Sequence, residues 1–295
     1  MQRAAAFVLA ISCSAIVCSV GATTVTPWQP ARISSPQFES HPAFDPRNGD
    51  LYFVRSSRDF IGWRILVSHC MPQGWSVGKA PPFAGDGQEA DPWFTADGSR
   101  LYFISSRSVN GVERKDLGIW RVDRDAQGRW DPPQRLPEPV NSTGAEWFPR
   151  LSPDGWLYFG SDRPGGLGKT DLWRARADAN EHWTVENLGA ALNSDGDDYE
   201  PLPSADGQRM VLMADGGLYE SRRTGDGWSP RVKLGSEVNV NGSEIGAALS
   251  PDGRSLLFAR DTKGPLSGEF FVAREPGAAS WPPACPAVAT PAHAR

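Results

Sequence analysis

The sequence predicts an all-β chain folded as a single β-propeller of five four-stranded blades, with six blades as the alternative count. Three observations predict it. A motif of an acidic residue, a proline, Asp-Gly or Asn-Gly and a Leu-Tyr-Phe-like run comes round five times. Its turn glycines, Gly49, Gly98, Gly155, Gly207 and Gly253, stand 49, 57, 52 and 46 residues apart, a period that signals repeats. No stretch shows helical periodicity opened by a capping box.

Each copy reads the same way along the chain. Glu89 to Phe103 and Glu146 to Phe159 are the clearest, and Glu39 to Phe53, Asp198 to Met213 and Glu244 to Phe258 are weaker. The proline stands three positions after the acid, except in the fifth copy, which has Ala247. Two short apolar runs on either side of Asp-Gly read as a hairpin with a tight two-residue turn, since glycine accepts positive φ and Asp tolerates it. A third run alternates apolar and polar residues, as half-buried strands do. It falls at Trp63–Val67, Ile119–Val122, Leu172–Ala175, Leu218–Ser221 and Phe270–Ala273. Seven or eight residues later a tryptophan opens a fourth run: Trp75, Trp130, Trp183, Trp228 and Trp281. Small four-stranded sheets repeated around an axis make a propeller; a sandwich would not need such similar units.

Trp28 to Ile33 resembles the fourth strand that starts at Trp228. It is expected to complete the last blade and so close the ring, removing exposed sheet edges. Trp281 competes for that place, but Pro282, Pro283 and Pro286 each lack a ladder donor.

Ser152-Pro-Asp-Gly155, Ser250-Pro-Asp-Gly253, Ser161-Asp-Arg163 and Thr170-Asp-Leu-Trp-Arg174 resemble the TolB-like β-propeller repeat, the WD-like repeat built around Pro-Asp. The resemblance covers about residues 28 to 275. The fourth copy departs from it: it has lost the Ser-x-Arg element and reads Ala214-Asp-Gly-Gly217 instead. The resemblance implies the fold and says little of function, because propellers host binding modules and enzymes alike. TolB itself has an additional N-terminal domain and six blades, neither visible here, so its partners are not carried over.

The 295 residues suit one domain of this kind. Twelve tryptophans and thirteen phenylalanines supply large apolar areas for a core. Residues 1–22 read as a secretory signal peptide: Arg3 is followed by an apolar run to Val20, then Val20-Gly21-Ala22. Residues 23–280 form the propeller and 281–295 a Pro/Ala-rich tail. Cys13 and Cys18 lack a convincing lipobox. Without the signal, 29 basic face 35 acidic residues, a net of −6, which argues against nucleic-acid binding. The expected address is periplasmic or secreted, with no transmembrane segment after cleavage, as a monomer.

Five acids, Glu39, Glu89, Glu146, Asp198 and Glu244, recur on the first strand of each repeat. In a propeller that strand lines the central channel, so the five are expected to ring its mouth. One reading is a cation site, with Ca²⁺ as the ion, since it takes several oxygen ligands. The other is that each carboxylate accepts hydrogen bonds from a neighbouring blade, from Arg107, Arg163 or Arg260, because a residue in every repeat serves the repeat. Asp195, Asp197 and Asp198 form the densest acidic loop and are a second Ca²⁺ candidate; no other cofactor is implied. Trp93, Trp147 and Trp156 break the repeat pattern and are candidate ligand contacts. There is no Gly-x-Ser-x-Gly, and His41 and His69 have no obvious partner, so no catalytic residue is assigned. The first reading is a non-catalytic scaffold for an envelope protein or glycan. The alternative is a glycoside hydrolase or lyase using carboxylates at the channel mouth. Cys70 and Cys285 belong to the two ends of a closed ring, where export allows a disulfide to persist; two free thiols are the alternative.

Overall fold

A computed structural model describes residues 22–114, 116–225 and 227–285. Residues 1–21, all but the last residue of the expected signal peptide (1–22), and residues 286–295 of the expected tail lie outside the described residues. The described chain is all-β and forms five antiparallel sheets in a ring, a five-bladed propeller.

The first three strands of each blade fall where the repeat predicts them. Blade 1 uses Phe38–Phe44, Leu51–Ser56 and Arg64–Ser68. Blade 2 uses Glu89–Phe94, Arg100–Ser105 and Gly118–Asp123, and blade 3 Glu146–Leu151, Leu157–Ser161 and Asp171–Ala177. Blade 4 uses Asp198–Pro203, Arg209–Ala214 and Gly217–Thr224, and blade 5 Glu244–Leu249, Ser255–Arg260 and Glu269–Arg274. The second strands carry Phe53, Phe103, Phe159 and Phe258, all fully buried, with Met213 at the matching place in blade 4. Burying each such side chain stabilises the fold by roughly 1.5–3 kcal/mol.

The turn glycines all take positive φ, from 65° to 83°. The turns are wider than the expected two residues. Thr95 N donates to Arg100 O at 2.9 Å, so four residues intervene, and only blade 3, where Ser152 N meets Trp156 O, is closed by three. The extra length lets the turn Asp fold inward. Asp206 and Asp252 each accept a 2.5 Å bond from the hydroxyl that opens the turn, Ser204 or Ser250.

Fourth strands depart most from expectation. Tryptophan opens one only in blade 3, Trp183–Asn187. In blade 2 Trp130 makes an isolated bridge to Arg124 and the strand waits until Gln134–Arg135, because Pro132 and Pro133 intervene without N–H groups. Blade 4 is split by Pro230 into Gly227–Trp228 and Val232–Lys233. In blade 1 Trp75 ends a short hairpin with Cys70–Met71.

The N-terminal segment closes the ring, but the strand runs into Trp28 rather than out of it. Thr24–Trp28 pairs with Glu269–Arg274 of blade 5, Trp28 opposite Phe270, and residues 29–33 turn away. Trp281 forms no strand. It is buried instead in the cluster that holds Trp28, Phe44, Trp75 and Phe270, edge-on to Phe44 at 5.9 Å. Cys70 and Cys285 are joined there, their Cα atoms 5.4 Å apart.

Candidate functional site

The five recurrent acids are fully buried, and none lines a cavity of the channel. Each accepts a bond from a main-chain N–H four residues upstream: Ser35, Gly85, Ser142, Ser194 and Val240. Each also pairs with an arginine: Glu39 with Arg55 at 2.7 Å, Glu89 with Arg107, Glu146 with Arg163 at 3.0 Å, Asp198 with Arg231 and Glu244 with Arg260 at 3.0 Å. These arginines come from the acid's own blade, not the neighbouring one. Every guanidinium also donates to a carbonyl of the loop that enters its blade: Ile33, Phe83, Val140, Leu192 or Val238. The pairs are pins that fasten each linking loop to its blade. Blade 4 lost the Ser-x-Arg arginine, and Arg231, from the outer-strand segment, supplies the charge instead. Burial raises the Glu39, Glu89 and Glu146 carboxyls above their usual range.

In the acidic loop Asp195 is exposed, and the other two acids are held by internal bonds. Asp198 belongs to the pins, and Asp197 accepts from Thr170 Oγ1 at 3.1 Å. Among the described residues no three His, Cys, Asp or Glu side chains have the geometry to hold a metal ion.

The site lies one and two positions beyond each pin. All five inner strands break register there, between Ser40 and Ala43 in blade 1 and at the matching places in the others. The residue two after the acid takes a left-handed conformation: His41 (φ 52°), Asp91 (58°), Phe148 (53°), Glu200 (58°) and Gly246 (66°). The proline that follows, Pro42, Pro92, Pro149 or Pro201, cannot donate to the ladder, and such bulges re-aim side chains. Here they turn side chains toward the axis. Gly246 is the one place without a side chain, and it must be: a Cβ would meet His41 N at 2.4 Å.

Ser40, Ala90, Trp147, Tyr199 and Ile245, one position after each acid, all line an axial cavity of about 240 Å³. His41, Asp91 and Phe148 join them, with Phe60, Trp63 and Ile104 as further apolar wall and Thr170 and Asp197 as further polar groups. Of the three irregular tryptophans, Trp147 reaches this cavity. Trp93 donates to Leu151 O at 3.3 Å and lies under Arg150, and Trp156 lies under Arg174, 4.1 Å from its ring centre.

His41 does have partners. Its Nε2 lies 3.2 Å from Asp91 Oδ1 and its Nδ1 2.6 Å from Ser40 Oγ, and its ring stacks on Phe148 at 5.3 Å. His69, well away from the axis, pairs with Asp50 at 2.8 Å. Burial, then the charge of Arg150, holds the His41 imidazole down to about 3. Burial pushes the Asp91 carboxyl up to about 6, against the pull of Arg150 and the Phe148 N–H. At neutral pH His41 is therefore neutral and Asp91 ionised. Nε2–H then donates to Asp91, and Nδ1 accepts from the Ser40 hydroxyl.

Arg150 and Glu200 complete the buried set. Arg150 donates to the carbonyls of Asp91 (3.3 Å) and Pro149 (3.1 Å), and its Nε has no partner. Glu200 accepts from Ala247 N, its other oxygen is unpartnered, and burial pushes it up to about 7. Folded Glu200 thus binds its proton more tightly than the unfolded chain, where about 4.3 applies. Between those values its contribution to stability falls as pH rises, by about 1.4 kcal/mol per unit, and is flat above pH 7. Glu200→Gln removes this dependence. Urea titrations should show the variant gaining on the wild type by about 3 kcal/mol between pH 4.5 and 7.5; a pH-independent difference would contradict it.

No family model and no curated protein matches the sequence. Solved structures share its fold. A thermostable family-43 glycoside hydrolase aligns with a TM-score of 0.52 at 13% identity, over 88% of this chain and 99% of that one. An α-L-arabinanase of Penicillium chrysogenum, complexed with arabinobiose, aligns at 0.50 and 14%, over 82% and 77%. TolB of Acinetobacter baumannii aligns at 0.49 and 17%, over 83% of this chain and 56% of TolB, about half its length. The chain is a β-propeller. At these identities the likeness reaches the fold and no further.

Proposed function

We propose that this chain is an exported TolB-like propeller that binds, without transforming it, a protein or glycan of the periplasm or cell exterior. One observation carries the reading: the five repeats differ most where they line the axis. Pins, turns and core positions repeat, while the positions after the acid read Ser-His, Ala-Asp, Trp-Phe, Tyr-Glu and Ile-Gly. A mostly apolar cavity with a few convergent polar groups is the usual form of a ligand site. At about 240 Å³ it takes one compact group of a partner. No helix among the described residues is long and apolar enough to cross a membrane, and the acidic balance disfavours nucleic acid. Ala90→Phe fills the cavity from its wall. Immobilised wild type should retain an envelope protein or glycan that correctly folded Ala90→Phe loses; equal retention by both would sink the reading.

A second reading, catalysis, has one observation in its favour. Ser40, His41 and Asp91 form a hydrogen-bonded chain of nucleophile, base and orienting acid inside the cavity. It replaces the channel-mouth carboxylates, since Glu89 and Glu146 are held by arginine. Turnover of esters or polysaccharides that disappears in His41→Asn would favour this reading over binding.

A further inference from the structure

We infer that the axial cavity recognises a substituted ammonium group, the charged head of a small organic cation such as choline. This rests on the reading of the cavity as the binding site and names the chemistry of its ligand. Five aromatic rings surround the space: Phe60, Trp63, Trp147, Phe148 and Tyr199. They come from three blades, and Phe148 stacks between His41 at 5.3 Å and Tyr199 at 5.8 Å. Aromatic faces carry negative quadrupole potential, and a cage of them holds a cation better the more it is desolvated.

The charges of the wall point the same way. The lining contains two carboxylates, Asp91 and Asp197, and no lysine or arginine. His41, the one basic ring there, is neutral. Arg150, whose charge acts on Asp91, and Lys169, 3.9 Å from Asp197, both stay out of the lining. A neutral sugar of this size would leave most of its hydroxyls facing carbon, since Ser40, His41 and Asp91 are already bonded to one another, as are Thr170 and Asp197. A carboxylate or phosphate would meet Asp91 and Asp197. A methylated ammonium has the matching properties: an apolar shell, a positive charge and no need for many hydrogen bonds. The volume suits the head group, with the rest of the ligand outside the rim near half-exposed Asp197.

Trp63 and Trp147 in the wall provide the signal. Choline titrated into the wild-type protein should change tryptophan fluorescence saturably. Binding should be at least tenfold tighter than that of 3,3-dimethylbutan-1-ol, the uncharged carbon isostere. Trp147→Leu should weaken choline at least tenfold and Asp197→Asn, at the rim and outside the core, about threefold, with the alcohol unchanged by the latter. Phosphatidylcholine vesicles separate the two sources of such a head: co-sedimentation competed by choline assigns a lipid, and its absence beside a choline signal assigns a free cation. Equal binding of choline and the alcohol would overturn the cation while leaving the cavity a binding site. No saturable change with either would overturn the cation as well, and the Ala90→Phe comparison then judges the cavity independently.

Discussion

Replacing Cys285 by serine is expected to lower the unfolding free energy of the oxidised protein by about 5 kcal/mol. The reason lies in the unfolded chain. Cys70 stands in the hairpin after the third strand of blade 1, Cys285 follows blade 5, and 215 residues separate them. A cross-link over that length removes a large share of the loop-closure entropy, which grows with the logarithm of loop size. In the folded ring the same bond costs little motion, because the two ends already meet. Trp28, Phe44, Trp75 and Trp281 share one cluster across this seam, and Arg274 holds the Trp281 carbonyl at 2.8 Å. The bond thus adds to a closure that Thr24–Trp28 makes by pairing. Urea unfolding with and without reductant checks it. Reduced wild type and Cys285→Ser should coincide, both well below the oxidised protein; an unreduced protein no more stable than Cys285→Ser would refute the bond's role.

What could be read from the sequence follows from which interactions are local. Gly49 to Gly253 announce hairpins because a positive φ is a property of one residue, and the Leu-Tyr-Phe runs announce strands because alternation is a property of neighbours. The outer strands were less legible, since Pro132, Pro133 and Pro230 displace them from the tryptophans expected to open them. The acids were visible as a fivefold feature, but their role was set by arginines 16 to 33 residues away and by loop carbonyls. Asp91, Arg150 and Glu200 escaped notice entirely. Asp91 meets His41, and Arg150 the Asp91 carbonyl, only because the inner strands bulge, and a bulge depends on pairing that no single strand reveals. A signal was nonetheless present. Once the five copies are aligned, the columns that refuse to repeat, Ser40-His41 against Ala90-Asp91 and Trp147-Phe148, mark the wall of the cavity.

Arg107→Met is expected to destabilise the fold by about 3–5 kcal/mol, the loss that follows when one partner of a buried ion pair is removed. Arg107 joins Glu89 to the Phe83 carbonyl at 3.1 Å and to Ser105 Oγ at 3.2 Å. Its guanidinium also lies 4.9 Å from the centre of Phe103 and 5.2 Å from that of Trp120. Methionine keeps much of the packing and none of the charge. Glu89 is fully buried, and one of its oxygens already lacks a partner. Without the arginine it keeps the Gly85 N–H, at 2.6 Å, and a carboxylate in that state is strongly disfavoured. Its proton affinity must rise further above the usual range. Folding then takes up a proton, so the deficit of the variant should shrink as pH falls toward 4 and grow toward neutrality. The double variant Glu89→Gln/Arg107→Met buries no charge and should recover most of the loss at pH 7.5, where the single variant suffers most. Chemical denaturation of the three proteins at pH 4.5 and 7.5 decides it. A deficit that ignores pH, or a double variant no more stable than the single, would mean that the pin acts through packing rather than through its charge.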